Sequence, residues 1–322
     1  MRKLIALCLT AVLATAACGT TEDPGKEDKP AAGGEKITVT DSRGKEIVLD
    51  GLATRIATTD WNSVEHLIAL GVMPVGVSDI KGYGQWVSAE KLDDTPTELG
   101  TRGEPSMDTL AQLDVDVVVA TDSLVEGALE QIEKDTPVIM LAGGDVNDSI
   151  GEMWTNVDIL ATITGTEDRA AQLRTEFDDK LAEGKAAIAE AGADGTTIAF
   201  SDAWVDSGSV SIRPFAKGSL VADVLAELGL ETVWEMPGDE VYGLADTDVE
   251  GLRELPADVL FWYIANDAFG DPYADELADN AIWKNLPFVK NGNVHRFPDS
   301  LWMFGGPSSM SQFVDAAVDA VS

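Results

Sequence analysis

The chain has 322 residues, with 22 Lys+Arg against 57 Asp+Glu and a formal net charge of −35. A hydrophobic content of 45% is that of a chain that buries real cores, so the acidity belongs to solvated surfaces. The charge excludes nucleic-acid binding through phosphates and attraction to anionic lipid, and a mean hydropathy near zero excludes a multispanning membrane protein.

Taken in chain order, the first feature is an export signal. Arg2 and Lys3 precede an apolar run, Leu4 to Leu13, too short to span a bilayer, and small residues Thr15-Ala16-Ala17 lead to Cys18. The pattern resembles a bacterial lipoprotein signal, cleaved before Cys18 and acylated on that thiol, although Thr15 stands where Leu is usual. The other reading is an ordinary secretory signal with Cys18 a spare thiol. The only other cysteine, Cys8, falls inside the segment removed, so no disulfide is available to the mature body. Residues 18–36 are rich in Gly, Pro, Thr and charge, and read as a flexible tether.

The folded part begins with a hairpin, Ile37–Thr40 and Ile47–Leu49, and then alternates helix and strand. Ser63 to Leu70 reads as a helix ended by Gly71, with His66 on its surface. A short apolar run, Val75 to Val77, and a helix capped by Ser106 follow. The nearly all-apolar strands Val115–Ala120 and Pro137–Leu141 are what a parallel sheet covered on both faces requires. Residues 149–192 are helical almost throughout. From Glu167 to Ala191 the apolar spacing gives one helix of about 37 Å at about 1.5 Å per residue. Strands Thr197–Phe200, Ser209–Ile212, Val259–Ile264 and Val294–Phe297 then alternate with helices at Ser219–Leu228, Val249–Leu255 and Gln312–Val321. The expected fold is α/β with two lobes: residues 37–166, a connecting helix 167–192, and residues 193–322.

No phosphate-cradling glycine loop is present, and the two histidines, His66 and His295, lack metal spacing. Asp246 to Gly251 imitates a calcium loop, but its twelfth position is Ala257, so it reads as a turn and helix start. Ser308 and Ser309 lack a nucleophile elbow. What stands out is a set of Trp and Arg residues at strand ends and in loops: Trp61, Tyr83 and Trp86 in a polar Gly-containing loop, Arg102, and Trp302 before Met303-Phe304-Gly305-Gly306. Ligands of open α/β sheets bind where such loops converge. Aromatic platforms with Arg forks suit a bulky ligand with oxygen-rich faces.

Three stretches carry a resemblance: residues 59–79 (TDWNSVEHLIALGVMPVGVSD), Tyr83-Gly84-Gln85-Trp86, and residues 99–107 (LGTRGEPSM). Residues 282–292 (IWKNLPFVKNG) and 301–307 (LWMFGGP) continue it in the second half. Together they resemble the iron-siderophore substrate-binding proteins of ABC importers over essentially all of 37–322. The resemblance implies two Rossmann-like lobes joined by a single long helix, with the ligand in the cleft between them. It implies Arg102 on the hydroxamate oxygens around iron and Trp61, Trp86, Trp302 and Tyr242 in the pocket. Phe304 stands where Tyr is common, and Leu124 replaces another frequent Tyr. Arg213 is an added candidate for a carboxylate or catecholate group, and with Arg102 would make a positive spot for an anionic chelate. Glu126 and Glu231 sit where each lobe of the family docks on the permease.

The expectation is therefore a monomeric, lipid-anchored binding protein on the outer face of a cytoplasmic membrane, in a Gram-positive cell. It captures a ferric siderophore of hydroxamate or mixed carboxylate type and delivers it to an ABC permease and its ATPase. It needs no cofactor, no catalysis and no protein ligand to iron. The rivals are a haem or cobalamin binder of the same fold, with Met303 or Tyr242 as axial ligand for haem, and an exported hydrolase or chelatase.

Overall fold

The computed structural model describes residues 35–322; the export signal, Cys18 and all but the end of the tether lie outside the described residues. Strands β1 (Ile37–Thr40) and β2 (Glu46–Leu49) form the expected antiparallel hairpin. The first lobe then runs β3 (Ile56–Thr58), α1 (Trp61–Ala69), β4 (Gly76–Val77), α2 (Ile80–Trp86), β5 (Thr97–Glu98), α3 (Met107–Gln112), β6 (Val117–Ala120), α4 (Glu126–Ile132) and β7 (Val138–Met140). Its five strands are all parallel, in the order β5-β4-β3-β6-β7.

Two helices, α5 (Ser149–Thr164) and α6 (Glu167–Glu190), carry the chain to the second lobe, with Gly165 in the left-handed region between them. There β8 (Thr197–Asp206), β9 (Ser209–Pro214), α7 (Leu220–Glu227), β10 (Glu231–Thr232), β11 (Leu260–Tyr263), α8 (Pro287–Lys290), β12 (Val294–Arg296) and α9 (Pro307–Val321) follow. The sheet order is β10-β8-β11-β12, all parallel, and β9 pairs antiparallel with the far end of β8.

The apolar strands are apolar because both faces are covered. Val117 and Val119 of β6 point into one core cluster, while Val118 and Ala120 point into another on the opposite face. Ile198 and Phe200 of β8 belong to the first cluster, and Ala199 to a third. The first cluster runs from one sheet through α5, α6 and α9 to the other. Phe200 lies within it, edge-on to Phe215, Phe297 and Phe313 at 5.3 Å each. Burial of this kind is the main driving force available to a cysteine-free body.

Three expectations need correction. Tyr83 and Trp86 lie on a helix, not in a loop: Asp79, itself at φ 56°, caps α2 by accepting from Gly82 N–H, and this holds a helix that two glycines disfavour. The strand beginning at Thr197 continues to Asp206. Val249–Leu255 contains only a 3₁₀ turn, Gly251–Glu254, started by Asp248 accepting from Gly251 N–H.

Helix α6 packs against α9 at Gly184, where a Cβ would stand 2.5 Å from Val314 Cγ1 and 2.8 Å from Leu228 Cδ2. Gly184→Val therefore overpacks this seam, and urea unfolding should show a loss of about 1–3 kcal/mol.

Candidate ligand-binding cleft

In the first sheet the chain leaves β3 toward one edge and later returns at β6 to build the other, so the order reverses between β3 and β6. Loops after these two strands flank the crevice where doubly wound sheets hold ligands. Asp60 follows β3 and Thr121–Ser123 follow β6. One Asp60 carboxylate oxygen accepts from Trp61 N–H at 2.7 Å and so caps α1; the other accepts from Thr121 Oγ1 at 3.0 Å and Ser123 Oγ at 2.8 Å. The switch point is thereby closed into one rigid polar cluster.

On this base stands a cleft of about 520 Å³. Its lining includes Asp60, Trp61, Trp86, Arg102, Ser123, Arg213, Tyr242, Trp302 and Phe304. Trp61 is fixed by its indole N–H donating to Asp79 O at 3.2 Å. Trp302 meets Trp61 edge-on at 5.0 Å, Trp86 at 6.3 Å and Phe304 at 5.1 Å, and Phe304 meets Tyr242 at 5.8 Å. Arg102 lies over Trp61, its guanidinium carbon 4.0 Å from the ring centroid. This cation–π stacking orients the guanidinium fork without using its donors. Asp60 is 3.6 Å away, an ion pair but beyond hydrogen-bond length, so Arg102 keeps N–H groups for a ligand.

Seven of the eight sequence-predicted ligand residues thus converge, from both lobes. The eighth, Tyr83, does not line the cleft: it is buried behind Trp61, and its hydroxyl donates to Glu90 O at 2.7 Å. Arg213 is present but committed, donating from Nε and Nη2 to the two carboxylate oxygens of Asp202. The positive spot expected of two arginines is therefore reduced, because Asp202 matches the charge of Arg213. Tyr242 donates to Asp122 Oδ1 at 3.3 Å across the lobes, and burial followed by that carboxylate pushes its hydroxyl pKa up. Leu124 is buried outside the cleft lining. Met303 is buried in the central core and lines, not this cleft, but a smaller cavity that shares Asn62, Tyr242 and Phe304 with it. Glu126 and Glu231 are both exposed.

The residues that sequence reasoning missed are Glu65 and His66. His66 is buried, not on the helix surface; burial pushes it down to about 4, so it is neutral at pH 7. Glu65 is fully buried and accepts from Gly306 N–H at 2.9 Å, Ser309 N–H at 2.8 Å and Ser309 Oγ at 2.7 Å. It caps α9, a helix whose own N-cap, Gly306, has no side chain to do so. The segment it anchors is the one that brings Trp302 and Phe304 to the cleft. The missed signal was the pair Gly305-Gly306: a Cβ on Gly305 would lie 2.3 Å from Glu65 Oε2, so only glycine lets this carboxylate in.

A family model described as periplasmic binding protein matches residues 56–301, well over half of the chain. The chain belongs to that family. Its members bind substrates and are not enzymes, and the motif resemblance to iron-siderophore substrate-binding proteins is borne out. Among similar proteins, the probable siderophore-binding lipoprotein YfiY of Bacillus subtilis is 25% identical over 321 residues, covering 95% of this chain and 94% of that one. The structure of the Fe3+–Desferal-bound siderophore-binding protein FhuD from Vibrio cholerae matches with a TM-score of 0.72 at 23% identity, over 83% of this chain and 97% of that one. The triscatecholate siderophore-binding protein FeuA from Bacillus subtilis, complexed with ferri-bacillibactin, matches with a TM-score of 0.70 at 21% identity, over 88% and 97%. The two-lobed α/β fold expected from the sequence is the fold they share with it.

In this family member, burial raises Glu65 from 4.5 to about 7. The folded protein then keeps a proton that the unfolded chain releases. The stability this group contributes is fully present below about pH 4.5 and is lost as pH rises through about 7. Glu65→Gln keeps Oε1 for both backbone donors and offers an N–H to Ser309 Oγ. Thermal melts should show the variant gaining on wild type between about pH 5 and about pH 8; a constant difference would contradict the assignment. Glu65→Ala should cost about 1–3 kcal/mol at about pH 5, and less as pH rises through about 7.

Proposed function

We propose that the protein captures a ferric siderophore in the cleft between its lobes and delivers it to an ABC permease. Hydroxamate is the chemistry that the cleft suits best. The observation that carries this reading is Arg102 stacked on Trp61 with its donors free, in a cleft walled by Trp86, Trp302, Phe304 and Tyr242. Hydroxamate oxygens bound to iron remain hydrogen-bond acceptors, and the flanking methylene linkers need apolar walls. The cleft volume falls within the range that encloses compact ligands. Iron is cargo, chelated by the siderophore and not by the protein.

The names of its relatives support the same reading: probable siderophore-binding lipoprotein, iron(3+)-hydroxamate-binding protein and Fe(3+)-citrate-binding protein. We assign residues 1–17 to an export signal, Cys18 to lipid attachment and residues 18–36 to a tether. The monomeric body would then work outside the cytoplasmic membrane of a Gram-positive cell. Among the described residues no helix is long and apolar enough to cross a membrane. In this reading residues 37–166 and 193–322 are the two lobes and 167–192 the connecting helix, and Glu126 and Glu231, one on each lobe, face the permease.

Tryptophan fluorescence tests the reading directly, because Trp61, Trp86 and Trp302 line the cleft. A ferric tris-hydroxamate should quench with submicromolar affinity, and Arg102→Ala should weaken binding by about tenfold to a hundredfold, the loss of charge-assisted hydrogen bonds. Absence of quenching by ferric hydroxamates, ferric citrate, catecholates and haem alike would overturn it.

A further inference from the structure

The cations of the cleft come already paired. Arg213 is held by both carboxylate oxygens of Asp202. Arg102 has Asp60 at 3.6 Å, and Asp60 is fixed as an acceptor by one N–H and two hydroxyls. A third carboxylate, Asp122, takes the Tyr242 hydroxyl from the facing wall. Two guanidiniums thus have three carboxylates about them, Asp60 in the lining and Asp122 and Asp202 bonded to lining residues, and among the described residues no other Lys or Arg lines the cleft. The adjoining groove, which shares Trp86 and is walled by Trp204 and Phe269, is lined by Asp271, Asp275 and Glu276 and, among the described residues, by no basic side chain. Beyond it the chain as a whole carries −35.

An anionic ligand entering this site meets no uncompensated positive charge. Arg213 keeps further N–H donors, but its charge is matched by Asp202, and a ligand that claimed that charge would have to break the pair and leave a half-buried carboxylate without its partner, which is costly. Hydrogen-bond donors are nevertheless available, from Arg102. The site offers donors without net charge.

From this we infer, resting on the reading of the cleft as a siderophore site, that the protein selects ferric complexes with no net negative charge. It accepts ferric tris-hydroxamates, in which three monoanionic hydroxamates neutralise Fe3+. It rejects ferric tris-catecholates, in which three dianionic catecholates leave a trianion. The determinants are Asp60 and Asp202, the carboxylates paired with the arginines, and Asp122, the carboxylate that takes the Tyr242 hydroxyl.

The test is a charge series titrated by tryptophan fluorescence at low and high salt: neutral ferrichrome, monocationic ferrioxamine and trianionic ferri-bacillibactin. The trianion should bind about 100-fold more weakly than the neutral complex, and added salt should strengthen its binding, because screening relieves repulsion. Salt should weaken the monocation and leave the neutral complex unchanged. Asp202→Asn, which frees Arg213 while keeping one acceptor oxygen, should narrow the neutral-to-trianion ratio about tenfold. Equal affinity for the trianion overturns the inference. So does weak trianion binding that ignores salt, which would mean shape and not charge, or an unchanged ratio in the variant. Failure of every complex, the neutral one included, overturns the siderophore reading itself, and it is recognised by that neutral arm.

Discussion

Glu65 sits where the two lobes meet, with three hydrogen-bond donors and, among the described residues, no cationic partner. A carboxylate so placed is expensive to ionise, which is why its titration moves toward neutrality. The expense is tolerated because the bonds do three things at once. They cap α9, dock the last helix of the second lobe onto the first helix of the first lobe, and fix the Gly305-Gly306 turn. The aromatic wall of the cleft hangs from that turn. Trp302 and Phe304 reach Trp61 and Tyr242 only if the turn is held.

The remainder of the cleft follows from sheet topology. A doubly wound sheet opens a crevice at one place, and the chain puts there a residue that serves both sides: Asp60 caps the helix after β3 and ties down the loop after β6. Arg102 then has an ordered indole to lie upon and a nearby carboxylate to limit its charge. The site is a rigid set of donors and rings supported by backbone geometry, which is the condition for binding without a large reorganisation cost.

Much of this was legible from the sequence. The parallel strands announced themselves as unbroken apolar runs, because residues such as Val117–Ala120 are buried on both faces. The cleft aromatics stood out by falling at strand ends. What failed did so for identifiable reasons. His66 and Glu65 are polar residues on a helix, and amphipathic reasoning sends such residues to solvent; α1 is instead buried nearly all round, under a lobe distant in sequence. Tyr83 looked like a loop residue because two glycines lower the helix propensity of α2 and the core that it completes lies outside the segment; the Asp79 cap went unread. The Arg213–Asp202 pair was present in the sequence but unread. Ser207-Gly208, both at positive φ, make a two-residue hairpin turn, and that turn alone fixes the register that sets Asp202 opposite Arg213. Reading β8 as ending at Phe200 hid it.

The bond between Glu65 and Gly306 spans 241 residues of chain. A polypeptide is made N-terminus first, so α1 exists long before the backbone donors that satisfy its buried carboxylate. Until the segment at Pro307 has emerged, the first lobe carries an unmatched acid on a surface meant to be interior. Contacts of such separation form late and slowly. The first lobe is therefore first to be synthesised and late to be finished, and its completion reports that Gly306 and Ser309 have arrived.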